Sequence, residues 1–403
     1  MTQDEKLDRL ANIAVKIGVN VQKDQELIIS APIEARGLVQ RIAAHAYDAG
    51  ATLVVPFFAD EVIQRTRFIH ADDESFDFAP AWVYEAMAKS IGDGAAVLTI
   101  VGSDPMLLAG CDAARIGRTQ RATAAAMKPM RALISSFATN WSILSFATPG
   151  WARSVFPDET PDVAVAKLWE AIFAVSRIDQ PDPVAAWRDH AATLLDRCDI
   201  LNARRFAALR FRGPGTDLRV GLAEDHLWAG GATEARNGVV CLPNMPTEEV
   251  FTMPHKMMVE GIVSATKPLV NGGALIEDIV VRFEAGRIVE ATASKGQEVL
   301  RALIGTDEGA ARLGEVALVP AASPVAQSGL IFRNTLFDEN AASHIALGQA
   351  LALNMQGGCD AARGANESLI HVDWMIGSAQ IDVDGISAAG AVEPVMRAGA
   401  FVL

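Results

Sequence analysis

Glu26-Leu-Ile-Ile-Ser30, the stretch from Ile33 to Ala49, and Thr52-Leu-Val-Val-Pro-Phe-Phe58 decide the architecture of the first part of the chain. The outer two are short apolar runs. Between them Leu38, Val39, Ile42 and Ala46 recur at helical spacing, and Gly50 ends the stripe. Strand, helix and strand in that order imply a parallel sheet with right-handed crossovers. Upstream, Leu7, Leu10, Ala14 and Ile17 form another helical stripe that stops at Gly18. Downstream, strands are expected at 95–101 and 131–137, separated by a helical stretch after Asp104. Val163, Leu168, Trp169, Ile172 and Phe173 mark one more amphipathic helix, and Pro181-Asp-Pro183 reads as a boundary.

Beyond this point the texture changes. Phe206 to Arg212, the Gly213-Pro-Gly215 turn and Leu218 to Leu222 suggest a hairpin, and Asp278 to Phe283 with Arg287 to Ala293 suggest a second. A short helix is expected near Glu298–Leu303. The expected organisation is an α/β N-terminal domain with a parallel sheet over residues 1–185, then an α+β, β-rich C-terminal metal-binding domain over 186–403.

The bulk numbers agree. At 403 residues, two domains are the default. Half the residues are hydrophobic and 21% are charged, so compact folding is expected. A net charge of −14 argues against nucleic acid as a partner, because phosphate binding needs a basic face. No apolar run reaches the roughly 18–20 residues that cross a bilayer. The polar start Met-Thr-Gln-Asp-Glu-Lys lacks a secretory apolar segment, and Cys111, Cys198, Cys241 and Cys359 lie far apart without a CxxC pair. These features predict a cytoplasmic protein with reduced thiols and no membrane partner.

The chemistry concentrates late in the chain. Asp338-Glu339-Asn340-Ala341-Ala342-Ser343-His344 and His371-Val-Asp373 place two of only seven histidines beside carboxylates. Imidazole nitrogen and carboxylate oxygen are the donors that hold catalytic Zn, Co, Mn or Fe. His371 and Asp373 are two apart in an apolar run, which on a strand puts both on one face. Glu249 and Glu315 come from otherwise apolar surroundings in Asn244–Thr252 and Leu313–Val319. Taken singly, each has a bland explanation as a capping group or a hydrogen-bonded core residue. Together, several ionisable groups in apolar contexts are costly unless a cation or partner offsets them.

Asn244-Met-Pro-Thr-Glu-Glu-Val-Phe-Thr-Met-Pro254 resembles the signature of the thermophilic metalloaminopeptidase family, of the aminopeptidase T, S and II type. The likeness continues through Leu313-Gly-Glu-Val316, Asn334 to Asn340, His344-Ile-Ala-Leu-Gly348 and His371 to Ser378. In the first half it includes Leu7–Gln22, Ala31-Pro32 and Gly150-Trp-Ala152. The resemblance implies one or two divalent metal ions (Zn, Co or Mn) held by Glu249, Glu315, Glu339, His344, His371 and Asp373, with Glu315 bridging. It also implies a homodimer and a short-peptide or other small-molecule substrate.

Two positions depart from the family. Leu351 replaces a tyrosine of a Gly-x-Ala-Tyr-Pro pattern, and Arg333 stands where an aromatic residue is expected, in what reads as an apolar strand. A tyrosine hydroxyl would stabilise a developing oxyanion, and losing such a donor costs about 10²–10³ in rate. Arg333 would clamp a carboxylate with its bidentate fork, and Leu351 would widen or dry the pocket. Three functional readings result. The first is an aminopeptidase. The second is a hydrolytic deaminase (aminohydrolase) of a small amino-substituted aromatic carboxylate such as a nitroanthranilate, for which a related fold gives precedent. The third is a non-haem Fe(II) ring-cleaving dioxygenase of the dihydroxypyridine type, using His344, His371 and Asp373. Glu248 is a further candidate for proton transfer, although a solvated neighbour of Glu249 is the favoured reading.

Overall fold

The computed structural model describes residues 1–271 and 274–403. They form two compact units, Met1–His190 with Ala232–Pro246, and Ala191–Gly231 with Thr247–Leu403. The chain is therefore not divided at a single point near residue 185: the first unit takes back the segment Ala232–Pro246.

The first unit is built on a parallel sheet in the order β2-β1-β3-β4, with β1 at Glu26–Pro32, β2 at Leu53–Ala59, β3 at Ala96–Val101 and β4 at Trp141–Ser145. β1 is internal, and its Leu27 and Ile29 are fully buried. The first helix, Gln3–Ile13, starts at a capping box in which the Thr2 side chain accepts from the Glu5 amide and Glu5 reaches back to Thr2. The expected strand at 131–137 is instead the end of a helix, Ala113–Ser135, capped by Asp112. The Ala-Leu-Ile run there continues a segment rich in Ala, Arg, Met and Lys, all strong helix formers, and this outweighs its local β character. The strand comes later, at Trp141–Ser145.

The second unit contains an antiparallel eight-stranded sheet and a separate four-stranded sheet. Both expected hairpins are present in the larger sheet. Gly213 pairs with Thr216 around Pro214-Gly215, and Gly215 has φ +71°, the proline-then-glycine pattern of a tight turn. Glu284 pairs with Arg287 around Ala285 and Gly286, both at positive φ, as a two-residue hairpin loop demands. The core gathers Phe206, Phe211, Phe283, Val316, Ile345 and Trp374. Asp384 is buried in this sheet and accepts from Arg212 and Arg397, which hold its carboxyl below the usual range although burial opposes them. Among the described residues, no helix is long and apolar enough to cross a membrane.

Candidate metal centre

The four-stranded sheet runs His371–Met375, His344–Gly348, Leu313–Leu318, Val250–Thr252. Its register explains why distant residues meet. Ala346 pairs with Glu315 on one side and Asp373 on the other, so these side chains form one row across the sheet. His344 lies two residues from Ala346, and His371 two from Asp373, which puts both on the same face. The alternate positions Ile345, Leu347 and Trp374 join the apolar core. Gly348 sits opposite His371 at φ +103°, where an added Cβ would come within 2.1 Å of the Ile370 carbonyl oxygen. Glu249 arrives from the residue before Val250–Thr252, and Glu339 from the turn Glu339–Ala341.

The resulting cluster is tight. Glu249, Glu315 and His344 form one group able to hold a metal ion, and Glu315, His371 and Asp373 form another, with ligand atoms within 4.8 Å of one another. His344 Nε2 lies 3.1 Å from Glu249 Oε2 and 3.4 Å from Glu315 Oε1. His371 Nε2 lies 3.4 Å from Asp373 Oδ1 and 3.9 Å from Glu315 Oε2. Each oxygen of Glu315 thus faces a different histidine. Glu339 belongs to neither group, but it feels the charges of Glu249, Asp373, His344 and Glu315, and with Asp373 it lines the adjoining cavity.

The electrostatics are those of a site made for cations. Burial raises the Glu315 carboxyl above its ordinary range, with Asp373 and Glu249 adding to the effect. Burial, then the charges of Glu249 and Asp373, push Glu339 well above the carboxylate range. Burial works against a charged imidazole at His344, yet Glu249 and Glu315 override it and raise that histidine well above its usual value. His371 is pushed up to about 10 by Asp373 and Glu315, again against burial. Asp373 falls below its usual value because the two histidines outweigh its desolvation.

Hydrogen bonding leaves donor atoms unused. His344 Nδ1 lies 3.2 Å from the Ala342 carbonyl, and His371 Nδ1 2.7 Å from that of Gln349. A carbonyl only accepts, so each neutral ring carries its proton on Nδ1 and turns a bare Nε2 toward the cluster. Glu249 Oε2, His344 Nε2 and Asp373 Oδ1 are buried, and beyond the close approaches within the cluster itself no hydrogen-bond partner reaches them. Such orphans are rare in folded proteins. Two imidazoles and several carboxylates in one pocket fit Zn, Co or Mn.

The remaining sequence candidates fall in different places. Glu248 is buried, at 2% exposure, rather than solvated; its amide donates to Asn340 Oδ1 at 2.7 Å, and its charge offsets part of the cost of burying Arg197. Arg333 lies in a bend at φ +55°, not in a strand, and lines the cavity that Glu339 and Asp373 also line. Leu351 precedes the turn Ala352–Asn354 and is not among the residues of that cavity. Sequence reasoning passed over Asn340. It is fully buried, its Nδ2 donates to the Leu336 carbonyl at 3.0 Å, and its backbone oxygen accepts from Ser323. It ties the Glu248-Glu249 segment to the turn bearing Glu339. The available signal was an asparagine flanked by Glu339 and an alanine pair.

The profile of the thermophilic metalloproteases (M29) matches residues 3–401. The chain belongs to this family. As a thermophilic metalloprotease it is a metal-dependent hydrolase. It is 54% identical to aminopeptidase T of Thermus thermophilus over 98% of both chains, and 43% identical to aminopeptidase AmpS of Bacillus subtilis, also over 98% of both. The solved structure of wild-type AmpT from Thermus thermophilus superimposes with a TM-score of 0.96, at 53% identity and 100% coverage of both chains. The family relationship thus spans both the N-terminal α/β unit and the β-rich unit that carries the candidate site.

Proposed function

We propose that the chain is an aminopeptidase working with two divalent ions, held by Glu249, Glu315, Glu339, His344, His371 and Asp373. Glu315 carries the proposal. It is common to both potential ligand groups, and its two oxygens face His344 and His371 separately, as a bridging carboxylate should. Divalent ions bound there would polarise a scissile carbonyl and lower the pKa of an attacking water. The protein's part is positional. The sheet register fixes four of the ligands, the two backbone carbonyls orient the imidazoles, and the buried face limits access of bulk water. Buried carboxylates beside the reacting atoms would take the proton released by water and pass it to the leaving amine.

The relatives named above, all aminopeptidases, favour a peptide substrate over an aromatic amine. A ring-cleaving dioxygenase needs one iron on two histidines and one carboxylate, which would leave Glu249 and Glu339 buried without use. The test is release of p-nitroaniline from leucine p-nitroanilide after loading with Mn, Co or Zn. Turnover that a chelator abolishes is expected. A folded, metal-loaded protein that releases nothing from any aminoacyl anilide would overturn the reading.

A further inference from the structure

The cavity beside the cluster contains a group that the proposed ligand set does not use. It measures about 40 Å³, and its walls include Glu339, Asp373, Asn334, Met375 and Arg333. No hydrogen bond or ion pair engages the Arg333 guanidinium among the described residues. Its backbone is held in an unusual place. Asp338 accepts from the amides of Phe332 at 2.7 Å and Asn334 at 3.0 Å, and between them Arg333 adopts φ +55°. Glycine or asparagine is the ordinary occupant of such a bend. Arg333 is half-exposed on the wall of a cavity that Asp338, Glu339 and Asp373 also line, and with the Asp338 carboxylate engaged by backbone amides, the arginine is free to meet an anionic ligand.

The size of the space narrows the anion. A space of this size suits a small anion such as a carboxylate. Arg333 offers such a group a planar fork matched to its two oxygens.

We propose that Arg333 binds a carboxylate of the substrate, selecting ligands that carry one on the Glu339 and Asp373 side of the metal cluster. Two sources share this chemistry: the side chain of an N-terminal Glu or Asp, and the C-terminal carboxylate of a dipeptide. The inference rests on the aminopeptidase reading for the amine end of the ligand; the carboxylate pocket itself does not depend on turnover.

Calorimetric binding to the zinc-loaded protein separates the possibilities. One pair of probes is L-glutamate against L-glutamine. The other is a leucyl-glycine analogue with a reduced, uncleavable peptide bond against its C-terminal amide. In at least one pair the acid should bind roughly 10- to 100-fold more tightly than the amide, the range expected for a charge-assisted contact. Arg333→Gln should reduce that gap to about threefold or less, with Arg333→Lys intermediate. The pair that shows the gap identifies the source. No gap in either pair overturns the proposal. So does a gap that survives Arg333→Gln. Absence of p-nitroaniline release would remove the aminopeptidase reading while leaving this binding difference intact, so the two can fail separately.

Discussion

The parallel sheet of the first unit and the four-stranded sheet of the second use buried strands for opposite ends. In β1, Leu27, Ile28 and Ile29 occupy the buried stretch, and nothing ionisable joins them. The strand Leu313–Leu318 is buried at every position, yet Glu315 lies within it. The orphaned polar atoms tell the same story. In the first unit they belong to neutral groups: Asn12, Ser75, Thr119, Trp141 and Ser145. In the second, the ionisable ones are Glu249, His344 and Asp373, all in one cluster. One sheet is organised for stability. The other gathers ionisable groups whose burial a bound cation would relieve.

This contrast can be broken by substitution. Ile29→Ala should cost about 2–5 kcal/mol in thermal or denaturant unfolding, because it removes close-packed methyl groups from a buried strand. The corresponding change at the other sheet should be far milder. Glu315→Leu should alter the stability of the metal-free protein by about 1 kcal/mol or less, since relief of a desolvated carboxylate beside Asp373 and Glu249 offsets the lost pairing with His344 and His371. If both variants destabilised the metal-free chain alike, the distinction between the sheets would be wrong.

A smaller effect sharpens the account of how the cluster is held. Asn340→Ala leaves every proposed ligand in place but releases the Glu248-Glu249 segment from the Glu339 turn. Metal affinity, measured by competition with a chelator, should fall about 10- to 100-fold, the usual cost of losing a residue that orients a ligand. Unchanged affinity would reduce Asn340 to a packing residue.

The mildest test is pH. In the metal-free protein His371 titrates near 10, above its unfolded value. The stability it contributes is therefore fully present below about pH 6.5 and is lost as pH rises toward 10. The raised carboxyls of Glu315 and Glu339 act in the same direction, since each folded carboxyl favours its proton. The Tm of the metal-free protein should fall across this window. The gain on adding zinc should grow over the same range, as fewer protons need displacing.

Much of this was legible in the sequence. Short apolar runs alternating with 3.6-period helical stripes pointed to β1 to β3, because the stripes between them fixed which runs were strands. The 131–137 segment was misread because a helix built of Ala, Met and Arg also contains a short Ala-Leu-Ile run, and only the cap at Asp112 fixes its frame. His371 and Asp373 were placed on one face from their spacing alone. That Glu315 joins them in one row depends on cross-strand register, with a bulge between Leu313 and Glu315. Arg333 was assigned to a strand because its neighbours are apolar. Its bend is dictated by Asp338 accepting two backbone amides, a contact that composition does not reveal.

The central claim is that Glu315 joins two cation positions into one centre. Metal content per chain, measured after equilibration with zinc and gel filtration, tests it directly in the wild type and in Glu315→Ala. About two ions per wild-type chain are expected and, in the variant, loss of at least one together with at least about 10²-fold weaker binding of the other, beyond the loss typical of an outer partner. A Glu315→Ala protein that retains two tightly bound ions would contradict it.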